Sequence, residues 1–269
     1  MARTREGARL TERHRNDQLA VRARVLRNLL RLWRAVDPLN LSATINPFAQ
    51  AAAALVENGN RQSASLAADY YRAFRAAEGA RGALALVIGE GLDLDAIAEA
   101  LRAAGLSGIS DARRRGDSTP QAARNGFVRV AGSASRLTLD GGRRTIREAV
   151  QSDPVAIGWQ RVTDGNPCAF CAMLASRGAV YLSERSATEI VGRSGRPRGA
   201  RQIGESFHDN CGCGVEPVFD RDSALPPRSE EFQTLWRQAT AGLHGRDAVN
   251  AFRRAIEGRI RQDDPIVAG

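Results

Sequence analysis

Two short clusters of soft ligands limit the folds open to this chain. Pro167-Cys168-Ala-Phe-Cys171 is followed, after 36 intervening residues, by His208-Asp-Asn-Cys211-Gly-Cys213, and the two hold all four cysteines of the sequence. A Cys-x-x-Cys turn places two thiolates on one zinc ion because its backbone folds around the metal, and a second short cluster completes the tetrahedron. Alone, Cys168-x-x-Cys171 reads as readily as either buried small hydrophobes or a redox pair, taken together, as it does as a metal site. The second cluster moves the reading to metal. Zinc takes four of the five ligands: either Cys168, Cys171 and His208 with one of Cys211 and Cys213, or the four cysteines with His208 supporting them from outside. So cysteine-rich a set, with one member to spare, points to closed structural zinc rather than to a catalytic ion with an open position. Paired spacings, unlike the scattered cysteines of a secreted disulfide framework, also point to a reducing compartment.

The charge is unusual in kind. All 39 basic residues among 269 are arginines, so chemistries that need a lysine are excluded: phosphate-loop and kinase nucleotide binding, Schiff bases and lysine nucleophiles. Of the net +9, +7 falls in residues 1–36, where ten arginines face Glu6, Glu12 and Asp17. No window has the roughly 18 apolar residues of a membrane helix, and arginines interrupt any signal-peptide core. A soluble intracellular product, or one assembled inside a cell, is expected.

Apolar spacing predicts an amphipathic helix from Leu10 to Val36, then helices at Pro47–Glu57 and Ser63–Glu78, the latter with Leu66, Tyr70, Tyr71 and Phe74 as a core stripe. Further helices are predicted at Asp93–Ala104, Thr119–Ser135 and Gly142–Gln151. The apolar run at 84–91 is no dinucleotide loop, because Leu94 occupies the third glycine position. Alternation then predicts strands at Ile157–Thr163, Ala179–Leu182 and Val215–Phe219, with a glycine- and arginine-rich loop at Ser183–Glu205. Two closing helices follow, one capped by Ser229 and one starting near Asp247. His14 and His244 read as solvated polar residues, since no serine, cysteine or acid is tied to either by sequence. The expected fold is therefore α+β and predominantly helical, in three parts: a helical body with a basic first helix (1–152), a small zinc-stiffened α+β module (153–222) and a C-terminal helical segment (223–269).

The stretch Trp159-Gln-Arg-Val-Thr-Asp-Gly-Asn-Pro-Cys168-Ala-Phe-Cys171, with Phe207-His208-Asp-Asn-Cys211-Gly-Cys213-Gly-Val-Glu-Pro-Val-Phe219, resembles the MuF-like minor head proteins of tailed bacteriophages. It is closest to the form carried by phages of actinobacteria, often described as a capsid maturation protease. The specific motif covers roughly residues 155–220. The resemblance implies a virion protein made in the host cytoplasm beside portal and scaffold, and located inside the capsid near the portal. Its implied partners are the portal protein and the scaffold or major capsid protein, with packaged DNA as a further partner of the arginine-rich first helix and no membrane.

No serine nucleophile with a histidine base can be matched onto the chain, so the leading expectation is a noncatalytic protein of head morphogenesis. A maturation protease acting on scaffold or capsid protein is the first alternative. The second is a zinc-containing DNA-binding protein inside the head, whose affinity would fall steeply with salt.

Overall fold

The computed structural model describes the chain except residues 1, 85, 87, 90, 179–206, 208, 221–224 and 263–269. The expected strand at 179–182, the loop at 183–205 and His208 lie outside the described residues. Helix α1, Arg5–Trp33, starts at Thr4, whose hydroxyl accepts from the Gly7 amide, and buries Val21, Val25, Leu29 and Trp33 at four-residue spacing. A short 3-10 turn at Pro38–Asn40 reverses the chain into α2, Leu41–Ala77. Helix α3 spans Leu94–Arg114 behind an Asp93 cap. Helix α4, Thr119–Ser152, opens with Gln121 accepting from the Ser118 amide and hydroxyl.

These four helices form the body. Trp33 packs edge-on against Phe48, and its indole donates to the Ala123 carbonyl at 3.2 Å, in a core shared with Ile97, Leu101, Ile109 and Val130. Two expected breaks are absent. Gly59-Asn60 does not end a helix, and α2 runs straight through it. A Cβ on Gly59 would lie 2.6 Å from Val25 and 3.1 Å from Thr138, while Asn60 donates to the Leu137 carbonyl at 2.7 Å. The pair is the point where three helices touch. Likewise Gly141-Gly142 lies inside α4, pressed against Asn60 and Ser63. Helix α3 also runs ten residues past its expected end at Ala104, because Gly105 and Gly108 admit Trp33 and the Asn125-Gly126 backbone. In each case packing overrides the low helix propensity of glycine, which costs about 1 kcal/mol per site.

Strand β1, Gly158–Val162, pairs antiparallel with β2, Gly214–Val218, in the register Trp159 to Pro217, Gln160 to Glu216 and Arg161 to Val215. An antiparallel strand presents two faces. Both are covered: Gln160 and Arg161 are as buried as Trp159, since the first turns of α1 lie over the Gln160–Glu216 side and Thr11 donates to Glu216. A short helix α5, Ala169–Ala175, follows Cys168, and two helices close the fold, α6 (Pro227–Ala239) and α7 (Gly245–Gln262). Helix α6 begins one turn earlier than expected. Pro226, rather than Ser229, sits at its cap, and Ser229 is buried in the first turn. Phe232, Leu235, Phe252 and Ile256 pack with Ala172 and Ala175 into a small core. No described helix is long and apolar enough to cross a membrane.

Candidate metal centre

Helix α4 is the platform on which the cysteine segments sit. Its C-terminal half shares a core with Tyr71, Phe74, Trp159, Leu174 and Phe207, and the thiols lie within that core. Residues 209–214 are held along one side of α4: Arg136 pairs with Asp209 at 2.9 Å, the Asn210 amide approaches the Gly132 carbonyl at 3.4 Å, and Arg143 donates to the Cys211 and Cys213 carbonyls. Asn210 adopts φ 66°, the left-handed conformation that asparagine tolerates better than most residues. Gly212, between the two cysteines, donates its amide to Asp164 at 3.0 Å, and a Cβ there would sit 2.4 Å from that carboxylate. A side chain at the middle residue of the Cys-x-Cys turn would displace the carboxylate that holds its amide.

This arrangement brings Cys171, Cys211 and Cys213 together, all buried, with their sulfurs within 4.8 Å of one another and Cys171 Sγ 3.5 Å from Cys211 Sγ. A tetrahedral zinc with ~2.3 Å bonds has sulfur–sulfur edges of roughly 3.8 Å. The donor set fits. Cys168 caps α5 and its Sγ accepts from the Cys171 amide at 3.4 Å, which places it at the edge of the cluster, half-buried. A hydrogen bond from the Cys171 thiol, opposed by burial, lowers Cys168 to about 7 from the ordinary thiol value. The Cys171 and Cys211 thiols, and then burial, push Cys213 the other way. Crowded thiols resist ionising together, and a bound cation reverses that.

Two arginines that sequence reasoning did not single out complete the surroundings. Arg143 donates from Nε and Nη2 to the Cys213 carbonyl, at 3.0 and 2.7 Å, and from Nη2 to the Cys211 carbonyl at 2.6 Å. Its Nη1 is buried with no hydrogen-bond partner among the described residues. Arg161 Nη1 lies 3.4 Å from Cys171 Sγ. Both guanidinium carbons rest against the Phe207 ring, 3.7 and 4.0 Å from its centroid. Their charge favours the thiolate form of the sulfurs, the form that binds metal. Only the position of α4 relative to the sheet puts Arg143 there; within the run Gly142-Arg-Arg144 nothing distinguishes it from its neighbour.

The histidines divide. His244 is exposed, as expected. His14 is half-buried rather than free in solvent: its ring stacks on Tyr70 at 4.3 Å, and burial lowers its pKa to about 4, so it is neutral near pH 7. A small cavity of about 30 Å³ lies beside it, lined by Thr11, Gln18, Arg143 and Cys213 among others. Among the described residues no serine or cysteine is hydrogen-bonded to either His14 or His244.

Comparison with known proteins places the chain. The profile of the VG15 protein family matches residues 6–239. The Gene 15 protein of Mycobacterium phage D29 is 34% identical over 148 residues, covering 43% of this chain and 54% of that protein. The Gene 15 protein of Mycobacterium phage L5 is 31% identical over 156 residues, covering 46% and 50%. The chain thus spans about half the length of the curated relatives it matches. No solved structure matches it.

Proposed function

The chain belongs to the VG15 protein family, and from that membership we propose that it is a noncatalytic minor head protein of the phage virion, of the MuF-like kind, acting in capsid assembly. The observation that carries this reading is the buried thiol cluster clamped between α4 and a two-stranded sheet, in a chain whose curated relatives are mycobacteriophage proteins. One structural zinc is held by Cys168, Cys171, Cys211 and Cys213, or by Cys168, Cys171 and His208 with one of Cys211 and Cys213. Four thiolates on a divalent ion carry a net double negative charge, and Arg143 and Arg161 stand where they offset it. The metal ties residues 168–171 to 211–213 and gives the module a rigidity that a two-stranded sheet lacks by itself.

In this role the helical body packs against the portal and against the scaffold or major capsid protein, inside the head, after synthesis in the host cytoplasm. Two measurements test the reading. Mass spectrometry of purified virions from a phage encoding the chain finds it as a stable component, and metal analysis of freshly reduced protein gives close to one zinc per chain. Virions without the chain overturn the assembly role; protein without zinc overturns the metal centre.

A further inference from the structure

An apolar strip rimmed by arginines runs along the open edge between α1 and α4. The chain has no acidic residue from Gln18 to Val36, and none from Ser118 to Leu139. Two contacts set the antiparallel register of the helices: Arg22 Nε donates to Ser135 Oγ at 3.1 Å, and the Trp33 indole donates to the Ala123 carbonyl at 3.2 Å. Two turns along from the first contact, this register sets Leu30 opposite Val128, and one further turn sets Arg34 opposite Arg124. Leu30 is 43% exposed and Val128 58%.

Arg27, Arg34 and Arg124 are exposed as well, and none has a carboxylate partner among the described residues; Arg124 reaches only the Pro120 carbonyl, at 3.5 Å. Elsewhere on the body Arg129 and Arg114 share Asp111, Arg115 meets Asp117, and Arg102 meets Glu99. Here arginine stands opposite arginine, an arrangement that an anion relieves.

The apolar pair decides which anion. A nucleic-acid backbone would satisfy the guanidiniums and leave Leu30 and Val128 wet, whereas a helix with carboxylates beside an apolar stripe satisfies both. A second copy of the chain presenting the same face would set arginine against arginine. We propose that the α1/α4 edge is a docking surface for an acidic amphipathic helix of a partner protein, whose carboxylates pair with Arg27, Arg34 and Arg124 and whose apolar stripe covers Leu30 and Val128. This surface is independent of the metal centre and of the assignment to the phage head.

The test uses the full chain and a fluorescent helical peptide of roughly 20 residues with a leucine stripe flanked by glutamates. Polyglutamate of equal length and a DNA duplex of about 20 base pairs are the comparisons. The amphipathic peptide binds about tenfold or more tighter than polyglutamate. Arg34→Glu with Arg124→Glu weakens it by at least about tenfold, and so does Leu30→Ser with Val128→Ser, while thermal melts of both variants match the parent. Failure of the peptide to bind overturns the proposal, as does equal binding of polyglutamate. So does duplex DNA that binds more tightly than the peptide, weakens steeply with salt and ignores the serine pair.

Discussion

Arg143, in the middle of α4, grips the backbone of the second cysteine cluster by donating twice to the carbonyl oxygen of Cys213. This buried side chain is one of the links between α4 and the thiol module, beside the Arg136–Asp209 pair. Arg143→Met leaves the Cys211 and Cys213 carbonyls without donors in a dry site. A loss of about 3 kcal/mol is expected, measured by urea unfolding. Arg143→Lys does not restore it, because a single ammonium lacks the planar fork that spans two carbonyls.

Removing the proposed zinc acts on the same joint. With a zinc-binding chelator and reductant present, a variant keeping Trp159 as its only tryptophan, with Trp33 and Trp236 replaced by Phe, is expected to show a red shift as the buried indole meets water. Structural zinc contributes on the order of 10 kcal/mol to folding, so the module cannot hold without it. Emission unchanged by the chelator would count against the metal centre.

Gly141→Ala tests the contact between α2 and α4. The new Cβ would stand 2.1 Å from the Asn60 carbonyl oxygen, a backbone atom that cannot swing aside. Despite the gain in helix propensity, a destabilisation of about 2 kcal/mol or more is expected. Gly258→Ala in α7, with nothing within 4 Å, is the control and should stabilise by up to about 1 kcal/mol. Equal effects at the two sites would contradict the close approach.

At the far end of the same helices Arg75 and Asp153 form a buried pair at 2.7 Å, with the Tyr71 hydroxyl donating to the same carboxylate. Asp153→Ala strands the guanidinium and is expected to cost about 3–5 kcal/mol. Burial raises the Asp153 pKa, but the hydrogen bonds from Arg75, Val155 and Tyr71 outweigh it and hold it below the ordinary carboxylate value. Its contribution is therefore present above about pH 4 and fades as pH falls through the depressed value. Acid titration of parent and Asp153→Asn separates this from general acid unfolding.

His14 gives a second pH dependence, in a higher window. The unfolded chain takes up a proton near pH 6.5, whereas the folded one resists until about pH 4. Stability accordingly drops as pH falls across that range, by up to roughly 3 kcal/mol. His14→Phe keeps a ring against Tyr70 and should lack that part of the slope in urea unfolding at pH 7 and pH 5. A parent with no slope between those values would show that the ring is solvated after all.

Much of the secondary structure was legible from periodicity, because each long helix carries its own apolar stripe; α1, with Val21, Val25, Leu29 and Trp33 on one face, is the clearest case. Boundaries were less legible. Gly59-Asn60 and Gly141-Gly142 carry the local signature of a break, and only the neighbouring helix shows that they are the places where backbones meet. The two-residue glycine signal is the same in both situations, so sequence reasoning split two helices that are continuous. His14 was misread for a related reason: its neighbours in sequence are charged, while its neighbour in space is Tyr70.

At the thiol cluster the division is sharp. Residue identity alone determined the ligand chemistry, because Cys168, Cys171, Cys211 and Cys213 are soft donors at spacings that a single ion can bridge. The choice of which sulfurs converge, and of what stands behind them, required the fold. Cys171, Cys211 and Cys213 meet because β1 and β2 pair in one register and α4 lies across them, and that packing is also what carries Arg143 and Arg161 to the sulfurs. A ligand's chemistry is local to its residue, whereas its neighbours come from segments that only tertiary packing makes adjacent.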